Sequence, residues 1–412
     1  MRFEKICIVL MVLVFFCMTA FSQEEEDKVL LLKIGDKNLR EKVMPISPDK
    51  IFSAKEGKSV SFAQMIKEMK DSQFVYVGES HDSMPMHDIQ FEVIQALHQQ
   101  DKNLSIGLEM FPVTEQEVLN KWSLGLLTED EFIEEAEWYV TWNFNFNYYR
   151  KIFLFAKANK IPMYALNAPR TMISAVRMKG WEALTEEEKL IIPKPDLSIT
   201  EHRELITTIF GGAGAHQMPG AGMEQMMEGL YRAQSAWDEV MAYNAVESAK
   251  KDGRRMAILA GSGHLLYNLG INYRVFKRTG VPFKTVVCLE VSDESDPTQV
   301  SRTFSDYIWG LNEEERPVYP SLGLSFKIFD GINNLVIESA PIGGVALGQD
   351  FKKGDVVLDM DGKTYTDINT LRTSLSRFTW GDEVQFRFLR EAAEVEVLLK
   401  FEMADHEVTE LK

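Results

Sequence analysis

The sequence predicts an α/β fold, a mostly parallel sheet flanked by helices with a helical insertion, followed by a small β-rich domain. Over residues 50–300, short apolar runs alternate with helix-like segments. These runs lack polar alternation, as do the strands of a parallel sheet that is covered on both faces. Beyond residue 317 the pattern changes to short strands and tight turns, which indicates a separate module.

The strands and helices of the first domain can be placed from their apolar residues. Five runs are predicted to be buried strands: Phe74–Val77, Leu104–Leu108, Pro162–Leu166, Met256–Ala260 and Lys284–Leu289. Three segments between them have apolar residues at helical spacing: His87–Gln99, Glu115–Trp122 and Tyr148–Asn159. Strands that alternate with helices predict right-handed crossovers in one sheet.

Residues 181–247 are predicted to form the helical insertion. Thr185 followed by Glu186–Glu188 is typical of a helix start. Glycine-rich runs at 211–215 and 219–222 interrupt the helical pattern, and a methionine-rich helix follows them. The insertion is either a lid with glycine hinges or a surface excursion whose methionines fill gaps in the core.

The N-terminus predicts export. Arg2 and Lys5 flank the start of an apolar run, Ile6–Phe21, that is short for a membrane span and is followed at once by four acidic residues. We expect residues 1–22 to be a cleaved signal peptide, and the protein to be periplasmic, attached to the cell envelope or secreted. Membrane association would then require an uncleaved anchor or lipidation of Cys17.

The composition argues against nonspecific binding to polyanions and against an internal disulfide. The chain has 62 acidic and 45 basic residues and a net charge of −17, which opposes nonspecific binding to nucleic acid or to an anionic membrane. Without residues 1–22, Cys288 is the only cysteine left, so no internal disulfide is expected. Its apolar surroundings in the sequence predict a buried, inert thiol.

Polar residues follow four of the predicted strands, in the stretches 78–82, 109–112, 167–170 and 261–264. Because the carboxyl ends of parallel strands open at one edge of a sheet, these residues are expected to converge. Two of the stretches share the spacing Gly-x-x-His, in which glycine permits a tight turn. Taken singly, each side chain could be structural; together, they predict a site made of Glu79, His81, Glu109 and His264.

Four ordered motifs resemble the ChaN group of haem-binding uptake proteins, which belongs to a superfamily with Tiki, TraB and the erythromycin esterases. They are Gly78–Asp82, Gly107–Phe111, Ala260–His264 and, on the insertion helix, Ala233–Ala242. The resemblance spans residues 70–290. It implies that Glu79, His81, Glu109 and His264 form a shared polar site.

The same resemblance implies that Gln234, Asp238 and Glu239 face this site from the insertion helix. Trp237 departs from the pattern, since a basic or smaller residue is expected there. We favour binding of haem or another tetrapyrrole in an apolar slot between sheet and insertion, with a Tyr, His or Met as axial ligand. The aromatic stretch 138–149 would line that slot or form an aromatic core.

A metal-dependent hydrolase is the alternative function. His81 would act as general base, Glu79 or Glu109 would orient it, and His264 would be a second base or ligand. His81, Glu109 and His264 could then hold zinc, manganese or cobalt. A nucleophilic serine is not expected, because neither Ser80 nor Ser262 lies in a Gly-x-Ser-x-Gly motif. A scaffold with a degenerate site is the third interpretation.

Residues 318–402 resemble a PDZ domain after a polar linker at 312–317. The strands are expected at 324–329, 334–337, 383–389 and 395–400, with a turn at Asp330–Gly331 and a helix at 368–378. A further strand is expected within residues 353–363, between turns at Gly354–Asp355 and Asp361–Gly362. The motifs that carry the resemblance are Ser321–Leu324, Glu338–Pro341, Gly354–Val357 and Asp361–Gly362.

The PDZ resemblance implies a site for a peptide C-terminus. Leu322, Gly323 and Leu324 would donate backbone N–H groups to the peptide carboxylate while the peptide extends the sheet. The run Gly343–Ala346 replaces the usual Ala-Gly-Leu and leaves the peptide preference open. Alternatively, the module only packs on the first domain.

Overall fold

The computed structural model describes residues 28–212, 221–291, 295, 297–314, 316–328, 334–341 and 343–402. The predicted signal peptide lies outside them. Over these described stretches, no helix combines the length and the apolar character needed to cross a membrane. The chain forms two compact units. Of the described residues, the first unit contains those within 28–81, 85–126 and 151–313, and the second contains those within 82–84, 127–150 and 314–402.

The first unit is built on an eight-stranded sheet with the order β3-β2-β10-β8-β4-β7-β5-β6. Its strands are β2 (Ile51–Ser53), β3 (Lys58–Val60), β4 (Phe74–Glu79), β5 (Leu104–Pro112), β6 (Met163–Asn167), β7 (Arg255–Gly261), β8 (Phe283–Val291) and β10 (Tyr307–Asn312). The strands from β10 to β6 are parallel, and the hairpin β2–β3 adds antiparallel to β10. A separate pair, β1 (Val43–Ile46) and β9 (Thr298–Ser301), is antiparallel.

Helices connect and cover these strands. They are α1 (Phe62–Glu68), α2 (Met84–Gln100), α3 (Gln116–Ser123), α4 (Glu129–Glu135), α5 (Trp138–Thr141), α6 (Arg150–Asn159), α7 (Arg170–Lys179), α8 (Glu186–Ile191), α9 (Thr200–Gly212), α10 (Ala221–Asp252), α11 (Ile271–Thr279) and α12 (Ile368–Leu375). Short 3₁₀ turns occupy Val113–Glu115, Phe146–Tyr148, Trp181–Ala183, Ser262–His264 and Leu266–Asn268. The predicted α/β fold class is confirmed.

All five predicted strands are present, because their residues are buried on both faces of the sheet. Every residue of β4 and of β7 is buried. Sequence reasoning did not identify the hairpin β2–β3 or the strand β10. β2 and β3 are only three residues long, and β10 pairs with β2 more than 240 positions away. The sheet is therefore wider than the five predicted strands.

The insertion consists of helices, as predicted. Thr185 caps α8 with a capping box, accepting from the Glu188 N–H while Glu188 bonds back to the Thr185 backbone. Gly211 lies inside α9, so the helix continues further into the first glycine-rich run than expected. Residues 213–220, which include most of the first run and half of the second, lie outside the described residues.

The C-terminal part of the second unit is a five-stranded antiparallel sheet in the order β11-β12-β13-β14-β15. Its strands are β11 (Phe326–Ile328), β12 (Leu335–Ile337), β13 (Val356–Met360), β14 (Glu383–Arg390) and β15 (Ala393–Lys400). Helix α12 packs Leu371 and Leu375 into the core beside the sheet. The turn predicted at Asp330–Gly331 lies outside the described residues, whereas the Asp361–Gly362 turn has positive φ at both residues, as expected.

Candidate functional site

The predicted strand ends converge at one edge of the main sheet. β4 ends at Glu79, two residues before His81, and β7 ends at Gly261, three residues before His264. Glu109 lies inside β5, because this strand continues four residues past the predicted end at Leu108. The Glu109 carboxylate accepts from the Gly261 N–H at 2.6 Å, which joins the end of β7 to β5.

Glu79 holds one of the two strand-end histidines. Its Oε1 lies 2.8 Å from Nδ1 of His81, and its Oε2 lies 3.2 Å from Nδ1 of His87 on α2. The Glu79 side chain is fully buried, whereas His81 keeps 15% of its side-chain surface exposed. Glu79 is therefore a buried anchor, and His81 is the partly accessible member of this pair.

His264 lies between two carboxylates. Nδ1 is 2.6 Å from Asp238 Oδ1, and Nε2 is 3.3 Å from Glu109 Oε1. Burial opposes the charged imidazolium, but the two carboxylates outweigh it and raise the pKa of His264 to about 10. Burial likewise opposes ionisation of Glu109, yet His264, His81 and the Gly261 N–H lower its pKa to about 2.

Asp238 connects the site to the insertion. Its Oδ2 lies 3.2 Å from His202 Nε2 on α9 and 3.5 Å from Arg274 Nη1 on α11. Burial of Asp238 opposes its charge, but His202, His264 and Arg274 hold its pKa below the usual range. Burial lowers the pKa of His202, and the positive charge of Arg274 acts in the same direction. A buried charged network thus fixes α9, α10 and α11 to the strand end of β7.

Two of the three predicted insertion residues contact the site. Gln234 Nε2 lies 2.8 Å from Nδ1 of His264, beside Asp238. Glu239 instead forms ion pairs with Arg274 and Arg278 of α11. Trp237, the departure from the family pattern, is partly exposed and stands edge-on to His264 with ring centroids 6.2 Å apart.

Two glycines make room for this arrangement. A Cβ on Gly261 would lie 2.9 Å from Cε1 of His81 and 3.6 Å from Glu109 Oε2. A Cβ on Gly78 would lie 2.7 Å from the Ser262 hydroxyl oxygen. The glycines of the two Gly-x-x-His stretches therefore permit close approach between strand ends, in addition to the turn that the sequence predicted.

The metal alternative finds no support in the side-chain arrangement. Within the described part of the chain, no group of three or more His, Cys, Asp or Glu side chains is placed to hold a metal ion. His81, Glu109 and His264 do converge, but both ring nitrogens of His264 are engaged by carboxylates. These contacts favour a proton on each nitrogen over a metal bond.

The aromatic stretch 138–149 belongs to the second unit. Trp138 packs edge-on against Phe146 and Tyr149, and all three rings are buried. Within its unit the stretch therefore forms an aromatic core. The sequence had left two interpretations open, the wall of a ligand slot or an aromatic core, and these contacts support the second.

The loop predicted to bind a peptide carboxylate is tightly packed. Gly323 has φ of +72°, and a Cβ there would overlap the Gly343 carbonyl oxygen. Gly344 has φ of +66°, and its Cβ would lie 2.5 Å from the Ser321 oxygen. The Leu322–Leu324 loop therefore packs against the run that starts at Gly343, the same run that departs from the usual PDZ pattern.

Sequence reasoning missed three members of the site network, His87, His202 and Arg274. Each lies on a helix rather than at a strand end, so the strand-end rule does not reach them. No local motif marks these residues, and only the packing of the helices on the sheet brings them to Glu79 and Asp238.

Comparison with known families and structures gives matches for both units. The family described as haem-binding uptake, Tiki superfamily, ChaN matches residues 65–275, and the PDZ domain family matches residues 320–401. These matches confirm the two resemblances predicted from the sequence. No curated protein matches the chain significantly.

Among solved structures, ChaN of Campylobacter jejuni with cofacially bound haem has a TM-score of 0.51 and 20% identity, over 63% of this chain and 95% of that one. At this identity the likeness establishes the fold. An erythromycin esterase mutant in its open conformation has a TM-score of 0.37 and 11% identity, over 62% and 83% of the two chains. An HtrA-type protease with a decapeptide has a TM-score of 0.20 and 18% identity, over 22% and 30%.

Proposed function

Because the chain belongs to the ChaN haem-binding uptake family of the Tiki superfamily, we propose that its first unit binds haem or a related tetrapyrrole. The family match over residues 65–275, which contain the whole Glu79–His81–Glu109–His264 site, is the observation that carries this proposal. Bound haem would supply an iron that accepts an axial protein ligand.

The site residues fit this group. Nδ1 of His81 is held by the buried Glu79 at 2.8 Å, the carboxylate contact that metal-binding histidines commonly have. The partly exposed Trp237 adds an aromatic surface beside the site. His264 is unsuitable as a ligand, because an imidazolium with a pKa of about 10 offers no lone pair to iron at neutral pH. His81 is therefore the residue that would hold the haem iron.

Titration with haemin tests the proposal. The chain lacking residues 1–22 should bind haemin at pH 7 with a shift of the Soret band, and His81→Ala should weaken binding at least about tenfold. His98→Gln is the matched control, since His98 contacts Lys102 and Phe155 rather than the site. If the wild-type chain does not bind haemin, the haem proposal is wrong. If His81→Ala binds as tightly as wild type, the ligand is another residue.

Metal analysis of the same sample tests the hydrolase alternative. A hydrolase of the predicted kind would purify with about one zinc, manganese or cobalt ion per chain. We expect substoichiometric metal, because both nitrogens of His264 face carboxylates. One bound ion per chain that is lost in Glu109→Gln would favour the hydrolase instead.

We further propose that the protein acts outside the cytoplasm, in haem or iron uptake, and that its PDZ module binds a protein or peptide C-terminus. The apolar run at Ile6–Phe21 supports export. Secreted material should begin at or near Gln23 by intact mass, and recovery of the full-length chain as an integral membrane protein would contradict this.

Amidation of a peptide's C-terminus should abolish its binding to the module, since the N–H groups of the Leu322–Leu324 loop would lose their anionic partner.

A further inference from the structure

Residues 127–150 are separated in sequence from the C-terminal module, yet they fold with it in the second unit. Their helices α4 and α5 contact α12 of the module. Because the segment leaves the first unit after α3 and returns to it within α6, both of its ends are tied to that unit. The segment is therefore a covalent link between the two units as well as part of the module's own packing.

The segment contacts one face of α12 through hydrogen bonds. The Asn369 side chain accepts from the Tyr139 N–H at 3.0 Å and donates to the Ile133 carbonyl at 3.3 Å. Arg372 donates to the Tyr139 carbonyl at 2.6 Å, and Asn145 donates to the Ser376 carbonyl at 3.0 Å. Spacings of three and four residues place these contacts on one side of the helix, away from the core-facing leucines.

The other end of the segment contacts the irregular stretch that leads into the carboxylate loop. The Tyr148 hydroxyl accepts from the Tyr319 N–H at 3.2 Å, and the two rings meet edge-on with centroids 5.0 Å apart. Tyr319 lies three residues before Leu322. The segment thus contacts α12 and the approach to the Leu322–Leu324 loop, which are the two sides of the module's expected peptide groove.

Residues 82–84 belong to the second unit as well. The Ser83 hydroxyl hydrogen-bonds the Glu314 carboxylate, and Ser83 is buried. Burial raises the pKa of Tyr148, and the negative charges of Asp82 and Glu314 nearby raise it further. Tyr148 and Ser83 thus contact the same stretch of the module, Tyr148 through Tyr319 and Ser83 through Glu314.

The position of residues 82–84 in the chain ties them to the Glu79 site. Asp82 follows His81 directly, and His87 lies three residues after Met84. His81 and His87 are the two imidazoles that contact the Glu79 carboxylate. A displacement of Ser83 would be carried along the backbone to both of them.

We propose that residues 82–84 and 127–150 are coupling segments, through which a ligand on the PDZ module and a ligand at the Glu79–His81 site change each other's affinity. The inference rests on the proposed function for the identity of the two ligands. A peptide that shifts α12 alters the Asn369 and Arg372 contacts to Tyr139, and Tyr148 passes the change to residues 82–84. Thermodynamic linkage makes the effect reciprocal.

Hydrogen exchange on the full chain tests the coupling without any ligand. Asn369→Ala and Arg372→Ala each remove a contact to Tyr139, so exchange should accelerate at least about fivefold both near residue 139 and at residues 81–84. Thr370→Ala, an exposed change on the same helix, is the matched control and should leave both regions unchanged. Faster exchange near residue 139 with no change at 81–84 would overturn the coupling.

Paired titrations test it with ligands. Haemin affinity is measured with and without a saturating free-acid decapeptide that the module binds, using the amidated peptide as control. We expect a change of at least about fivefold in the wild-type chain and none in the Asn369→Ala, Arg372→Ala double variant. If both ligands bind but neither affects the other, the coupling is wrong and haem binding stands. If haemin does not bind, the proposed function fails and hydrogen exchange alone decides the coupling.

Discussion

The two strand ends that carry Gly-x-x-His have the same spacing but different electrostatic surroundings. At the end of β4, His81 contacts the Glu79 carboxylate at 2.8 Å and keeps 15% of its side-chain surface exposed. At the end of β7, His264 lies between Glu109 and Asp238, and its pKa rises to about 10. One histidine is suited to bind a ligand, and the other is suited to hold a positive charge.

This difference shows where the chemistry of a strand-end residue is determined. Spacing and glycine content place both imidazoles at the same edge of the sheet. The high pKa of His264 depends on Glu109 of β5 and on α10, which brings Asp238 to the end of β7. The helix that directly precedes β7 in the chain therefore helps to keep His264 charged.

The largest expected effect is the loss of the Asp238 carboxylate. Asp238→Asn would remove one of the two carboxylates at His264, where Glu109 would remain, and one of the two at Arg274, where Glu239 would remain. Loss of this charge from a buried network should lower the free energy of unfolding by about 3–5 kcal/mol. Glu79→Gln, the equivalent change on the His81 side, should cost only about 1–3 kcal/mol, because the amide oxygen of the substituted side chain can still accept a hydrogen bond from an imidazole.

Chemical denaturation of both variants at pH 7 measures this difference. The two variants can be compared with the wild-type protein only if all three have the same m-value, the slope of unfolding free energy against denaturant concentration. Equal losses in the two variants would show that the two strand ends depend on their carboxylates to the same extent, and would remove the electrostatic contrast between them.

The sequence predicted most of the site because its principal members lie next to continuous apolar strands. Glu79, His81, Glu109 and His264 were all placed by the strand-end rule, and they do converge. The rest of the network depends on tertiary packing. His202 reaches Asp238 only because α9 packs beside α10, and no period or motif in the sequence encodes that contact.

The assignment of residues 127–150 to the second unit was also beyond sequence reasoning, although the C-terminal module itself was predicted. These residues lie between helices of the first unit. Their partners Asn369 and Arg372 are about 230 positions away, so no local pattern connects them. A single sequence does not show which side chains form hydrogen bonds over such long separations.

The second largest expected effect is a pH dependence that belongs to His264 alone. The pKa of His264 is raised from its ordinary value of about 6.5 to about 10, so the stabilisation it gives is complete below pH 6.5 and is lost as the pH rises toward 10. The free energy of unfolding should therefore fall by about 1.4 kcal/mol per pH unit between pH 7 and 9.5. For Glu109, with a pKa of about 2, the loss comes on acidification below pH 4.5.

His264→Gln should flatten the alkaline decline, whereas His81→Gln should leave it in place. The quantity to compare is the slope of unfolding free energy against pH, measured by denaturation at several pH values in each variant. A wild-type slope that persists in His264→Gln would mean that another group releases the proton, and that His264 is not held as an imidazolium.

The smallest expected effect concerns the two glycines of Gly261-Ser262-Gly263-His264. A Cβ on Gly261 would approach His81 Cε1 to 2.9 Å, but a Cβ on Gly263 would meet no atom within 4 Å. Gly261→Ala should therefore displace the His81 ring and lower the free energy of unfolding by about 1–3 kcal/mol. Gly263→Ala, the matched control two residues away, should change it by less than about 0.5 kcal/mol.

Haemin titration of the two glycine variants then separates steric crowding at His81 from a general loss of stability. If His81 is the axial ligand, Gly261→Ala should weaken haemin binding at temperatures where the variant is fully folded, because the added methyl group moves the imidazole away from its Glu79-held position. Gly263→Ala should bind as the wild-type chain does. Unchanged haemin affinity in a folded Gly261→Ala variant would mean that the end of β7 does not control the position of His81, and that the two strand ends act independently.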